Sequence, residues 1–166
     1  PTLFDKEQNV SANSGNFPEK YLYKTPIVID GDICAETVLG SIIMFKREDI
    51  IDIGLYDENL FLYFLDDDLC KRIRDKKKAV IQVADARAIH EHGQIKVRNS
   101  IKRTFLRHFN FTFDELYYFY KIKKHEKLFN ELSNKVPKYF IKLLLNLIIL
   151  RLNKAVYFLS KILAFY

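Results

Sequence analysis

The chain has 166 residues, 49% of them hydrophobic, with 10 Tyr, 14 Phe and no Trp. That is enough apolar side chain for one ordinary domain with a sizeable core, and it excludes an intrinsically disordered chain. The net charge of +6 is uneven, because residues 1–98 carry 14 Lys+Arg against 17 Asp+Glu while residues 99–166 carry 13 against 4. Two cysteines, Cys34 and Cys70, form neither a CxxC pair nor part of a second cluster, which suits a reduced pair better than a disulfide framework or a zinc site. No cationic segment followed by an apolar run comes after Pro1, so no signal peptide is expected.

Residues 1–27 hold many turn formers, as in NVSANSGNFPEK, and predict a surface loop with short extended pieces. Asp30-Gly31-Asp32 has a spacing used to hold metals, but Asp-Gly is a common turn dipeptide, and a turn is the expectation. Val38–Phe45 reads as a buried strand interrupted at Gly40-Ser41, where a ligand or another backbone approaches. Arg47–Ile53 has helical spacing and Gly54 is placed to end it. The apolar aromatic run Phe61–Leu65 reads as a strand that delivers three carboxylates, Asp66, Asp67 and Asp68, to a helix over Asp68–Lys76. Ala79–Val83 is a β-type run, and Arg87–His90 leads into His-Glu-His-Gly. This alternation predicts an α/β fold with a mixed sheet.

Beyond residue 98 the character changes. Thr112-Phe113-Asp114-Glu115 has the pattern of a capping box opening an aromatic helix, Ser133–Pro137 is expected to break it, and a further helix follows. From Lys138 to Tyr166 the chain is apolar but interrupted by Lys142, Arg151, Lys154 and Lys161. The longest uncharged stretch before Arg151, Leu143–Leu150, falls far short of the roughly 20 residues that span a bilayer. An amphipathic segment lying in a membrane interface, with lysines reaching toward headgroups, is the expectation for residues 138–166. Basic residues interleaved with Phe and Tyr also occur in nucleic-acid binders, but Leu143–Leu150 is too apolar for a solvated nucleic-acid face.

The three aspartates admit two readings. Acids in the first turn of a helix cap free N–H groups and complement the macrodipole, by a fraction of a kcal/mol each. Crowded carboxylates also repel one another, which raises the pKa of at least one and suits a proton acceptor. Lys76-Lys77-Lys78 reads as the solvated, cationic end of the same helix.

The segment from Val38 to Gln94, with VLGSIIMFKRE, IGLYDENLFLYFLDDDLCKRI and ARAIHEHGQ in that order, resembles the C-terminal half of the catalytic domain of family 2 glycosyltransferases, closest to the rhamnosyltransferase-like members. The resemblance implies a GT-A fold and an inverting transfer of sugar from a nucleotide-sugar donor to a saccharide acceptor, expected to be lipid-linked, in bacterial cell-surface polysaccharide synthesis. It implies Asp66 as the general base and His90 as a ligand of a divalent ion, Mn²⁺ or Mg²⁺. Gly40, Ser41, Asp57, Glu58, Asp67 and Asp68 are implied on the acceptor side. The family's N-terminal nucleotide-binding half has no counterpart in these residues, so the resemblance implies the acceptor-side half over residues 1–98 and a basic helical extension over 99–166. It further implies a cytoplasmic location, peripheral on the inner face of the plasma membrane. Leu65 stands where the family motif carries Glu, which favours the competing expectation of a truncated or degenerate, non-catalytic membrane-associated module.

Overall fold

The structure is a computed structural model that describes residues 2–13, 15–16, 30–90 and 99–165. It is mixed α/β. The chain divides into two compact units, one of Pro1–Asp57 with Leu65–Gln94 and one of Glu58–Phe64 with Ile95–Tyr166.

Among its described residues the first unit contains seven short strands and two helices. Strand β1 (Thr2–Phe4) is central in a three-stranded sheet, antiparallel to β2 (Val10–Asn13) and parallel to β7 (Arg87–Ile89), with Leu3 opposite Ala88. Leu3 and Thr2 are fully buried, so the start of the chain is sheet interior and not the surface loop its composition suggests. A three-residue strand is too short to display an alternating pattern, and only pairing with β7, more than 80 residues on, reveals it. Strands β3 (Gly15–Asn16) and β5 (Thr37–Val38) form one antiparallel pair, β4 (Ile33–Cys34) and β6 (Ile81–Gln82) another. The strand expected over Val38–Phe45 therefore stops at Val38, and the chain turns at Gly40-Ser41.

Helix α1 (Arg47–Ile53) ends at Gly54, whose φ of 85° is a left-handed conformation that a side chain would strain. Helix α2 (Leu65–Asp75) buries Leu69, Cys70 and Ile73 on one stripe against Ala35 and Val80, with Ile50 and Ile53 of α1 beside them. Asp68 and Arg72, one turn apart on α2, form an ion pair at 2.9 Å. The Arg72 guanidinium also donates to the carbonyls of Ile53, Gly54 and Leu55 at 3.1, 2.7 and 2.8 Å, satisfying the orphan carbonyls at the end of α1. Helix α2 closes in a Schellman turn, Lys78 N–H to Ile73 O at 3.2 Å, with Lys77 at φ 60° where glycine is usual. Two lysines of that run are ion-paired with α1, Lys76 with Asp52 and Lys78 with Asp49.

The second unit is helical. Helix α3 (Ser100–Lys121) starts at Asn99, whose side chain accepts the Lys102 N–H at 3.0 Å, and not at the capping-box pattern of Thr112–Glu115. Asp114, in mid-helix, is fully buried and accepts the backbone N–H groups of Phe61, Leu62 and Tyr63 at 3.0, 3.0 and 2.8 Å. This is why the aromatic run 61–64 is not a strand, since its amides are satisfied by a carboxylate and not by a neighbouring strand. The rings of Tyr63 and Phe64 pack on Phe111 at 5.0 and 5.6 Å, and Phe64 stacks on Tyr118 at 5.4 Å. Phe64 takes φ 59° as the chain turns into α2.

Helix α4 (His125–Ile148) runs through Pro137 without breaking. Proline lacks the N–H that would reach the Ser133 carbonyl, and the Ser133 hydroxyl meanwhile donates to Phe129 O at 2.9 Å. A turn at Ile149-Leu150 reverses the chain into α5 (Leu152–Leu163). Leu143, Ala155 and Ile162 form the seam of this antiparallel hairpin, with Tyr139 and Phe158 alongside at 5.9 Å. The C-terminal segment is thus a helical hairpin. No helix among the described residues is long and apolar enough to cross a membrane.

Candidate active site

The turn after β5 and the first turn of α2 meet within the first unit. The Gly40 N–H donates to Asp66 Oδ2 at 2.8 Å. A Cβ at Gly40 would lie 3.3 Å from the Asp66 carboxyl carbon, so the absence of a side chain there is what allows this approach. Ser41 lies in the same turn, exposed. Gly40 and Asp66, singled out separately in the sequence, are therefore joined by a hydrogen bond. The remaining oxygen of Asp66 accepts no hydrogen bond from any described residue.

Asp67, the next residue, is half-buried. Burial, and then the neighbouring Asp66 charge, hold its carboxyl above the usual carboxylate range, against smaller opposing effects of a Thr37 hydrogen bond and Arg74. The mutual repulsion anticipated for the crowded acids thus falls on Asp67. Asp68 points elsewhere; it is 1% exposed and its carboxylate is engaged by Arg72. Its location ties α2 to the end of α1.

Asp57 is half-buried and closes the first segment of the first unit, whereas Glu58 is exposed and opens the second unit. His90 follows β7, half-buried, with its backbone N–H donating to Phe4 O at 3.0 Å. Among the described residues no three His, Cys, Asp or Glu side chains are grouped to hold a metal ion, so His90 does not complete a three-ligand centre with the α2 acids. The continuation Glu91–Arg98, with His92 and Gly93, lies outside the described residues. Asp32 of the Asp-x-Asp accepts the Ala84 N–H at 2.9 Å and so secures a loop.

Two residues near the acids were not identified from the sequence. Tyr56 is partly exposed, and its phenol is pushed up by burial, then by the Asp66 charge and by Cys70. Thr37 hydrogen-bonds Asp67. Neither lies at a spacing that links it to α2, although Tyr56 falls inside the quoted GLYDEN stretch. Cys34 and Cys70 are both free, Cys70 buried with its thiol pushed up by desolvation. Elsewhere in this unit an apolar cavity of about 520 Å³ is lined by residues such as Val38, Ile42, Ile73 and Val80, with Arg87 the charged residue among its lining.

No family model, curated protein or solved structure matches the chain. The chemistry therefore rests on the residues themselves. A carboxylate held by one oxygen at a helix N-terminus, with the other oxygen unengaged by the described residues, is placed to take a proton. Beside it stands a second carboxyl that retains its proton to higher pH than usual. Such a pair can perform acid–base work on a hydroxyl.

Proposed function

We propose that the chain is the acceptor-side part of an inverting glycosyltransferase of the family 2, GT-A type, moving a sugar from a nucleotide-sugar donor to a lipid-linked saccharide at the cytoplasmic face of a membrane. The observation that carries the reading is the fixed Asp66 carboxylate, anchored to the Gly40 N–H at 2.8 Å, with its second oxygen accepting no hydrogen bond from the described residues. The ordered motifs around it resemble that family. Asp66 takes the proton of the acceptor hydroxyl as that oxygen bonds to the anomeric carbon, the bond to the nucleotide diphosphate breaks, and the configuration inverts. Gly40 positions the base; Ser41, Tyr56 and Asp57 offer hydrogen-bonding groups to the acceptor on the same unit. A Mn²⁺ or Mg²⁺ ion would draw one imidazole from His90, but the described residues do not assemble its other ligands. The basic C-terminal hairpin keeps the chain at the surface where a lipid-borne acceptor resides, raising effective concentration.

A second reading, a non-catalytic membrane-associated module, is favoured by Leu65 in place of the family's Glu and by the engagement of Asp68 in an ion pair. The two separate in one assay. Membranes bearing the full-length gene product are supplied with a panel of radiolabelled UDP- and dTDP-sugars, and label entering the lipid fraction is counted. Transfer that drops about 100-fold or more in Asp66→Asn supports the base. Transfer that survives the substitution refutes that role, and a wild type with no transfer favours the module.

A further inference from the structure

The α4–α5 hairpin ends in an apolar tip that nothing among the described residues covers. Leu145, Ile148, Ile149, Leu150 and Leu152 are each more than half exposed, Ile148 at 76% and Leu150 at 80%. Single exposed leucines are ordinary on a protein surface, but five apolar side chains within the eight residues of one chain reversal are not. Leu150 is the most informative of them. It sits at φ 52°, a left-handed conformation that disfavours a side chain and that Gly or Asn adopts more readily. The turn is a Schellman closure of α4, Arg151 N–H to Asn146 O at 2.8 Å, at which Gly or Asn is usual. Leu150 is nonetheless a large apolar side chain left 80% exposed.

The charge around the tip specifies what it meets. From Leu132 to Tyr166 the chain has six basic residues, Lys135, Lys138, Lys142, Arg151, Lys154 and Lys161, and no Asp or Glu. At about 1.5 Å of rise per residue, Lys142 on α4 and Lys154 on α5 stand roughly 6–12 Å back from the apex. That is about the depth to which interfacial apolar faces enter the headgroup and acyl boundary. Arg151, at the apex, has a stem long enough to return its guanidinium to the headgroups. An aqueous protein partner would not require this collar of one sign around an apolar point, whereas an anionic leaflet matches both parts.

We propose that the Leu145–Leu152 tip enters one leaflet of an anionic bilayer apex-first, with Lys142 and Lys154 seated among the headgroups. This deepens the membrane-surface element of the function proposed above and rests on it, but it is independent of the sugar-transfer chemistry. Apex-first entry differs from a helix lying flat along the interface, because only the turn and its flanks lose water while the outer faces of both helices remain wet.

The test uses the full chain with Cys34→Ser, so that an introduced thiol is the exposed one, Cys70 being buried. An environment-sensitive NBD label is placed at Ile149→Cys or, as a control remote from the tip, at Lys123→Cys. Vesicles are phosphatidylcholine alone or phosphatidylcholine with one-quarter phosphatidylglycerol. Expected are a blue shift at position 149 with the anionic vesicles, quenching by lipid nitroxides placed shallow in the acyl chains, and no shift at 123. Leu150→Asn with Ile148→Ser should weaken vesicle binding at least about tenfold while leaving helix content intact, since both side chains are exposed in the free protein. Binding to vesicles with a water-exposed label at 149 would overturn apex-first entry and leave membrane association standing. Absence of vesicle binding would overturn both. A blue shift that grows with protein concentration without vesicles would assign the tip to self-association and overturn the proposal.

Discussion

Asp114 offers the sharpest test of how the second unit is held. Its buried carboxylate accepts three N–H groups from Phe61, Leu62 and Tyr63, and hydrogen bonds to a charged group contribute about 1.5–3 kcal/mol each. The gross sum overstates the effect, because Phe61 and Leu62 are exposed and their amides recover water once the segment lifts away. Counting Tyr63 in full and the other two in part gives about 3–5 kcal/mol for Asp114→Ala. Asp114→Asn keeps one acceptor oxygen but turns an amide donor toward at least one of the three N–H groups, for about 2–3 kcal/mol. Amide hydrogen exchange reads this residue by residue, and 2–3 kcal/mol corresponds to about 30–150-fold faster exchange at positions 61–63. Near-UV circular dichroism should also weaken as Tyr63 and Phe64 loosen from Phe111. If exchange at 61–63 is unchanged in Asp114→Asn while α3 remains helical, the carboxylate does not anchor the segment and the account is wrong.

Asp67 gives a prediction in pH. Its folded carboxyl is held above the unfolded value by burial and by Asp66, so the folded state binds that proton more tightly than the unfolded chain does. Stability from this group is therefore complete below the ordinary carboxylate pKa and is lost as pH rises through the raised folded value. Asp67→Asn should raise the melting temperature at pH 7 and give no advantage at pH 3; equal gains at both would refute the assignment. Pro137→Ala restores a donor to the Ser133 carbonyl in the interior of α4, where proline is disfavoured by up to about 3 kcal/mol. Slower hydrogen exchange across residues 133–140 is expected, and faster exchange there would show that the proline is accommodated without cost.

The sequence by itself determined the features that are local. The spacing of Arg47–Ile53 and the glycine after it specify α1, the periodicity of Leu69, Cys70 and Ile73 specifies the buried stripe of α2, and the change from an acidic head to a basic tail is composition alone. It also marked Gly40 and Asp66 as notable residues. That they touch was decided by the tertiary structure, because a 26-residue separation carries no periodic signal. The roles of the three adjacent aspartates were likewise indistinguishable in sequence. Successive residues at a helix start project in different directions, so Asp66 reaches Gly40, Asp67 is half-buried near Thr37, and Asp68 pairs with Arg72. Only tertiary structure gave the run 61–64 its form, since a distant buried aspartate replaced the strand partner that its β propensity suggested. The same holds for the tail. Its apolar and basic residues are plain in the sequence, but the turn at Ile149-Leu150 that gathers them into a point follows from the packing of Leu143 against Ala155 and Ile162. Propensity acts over a few residues, whereas these outcomes depend on burial shared between segments far apart in the chain.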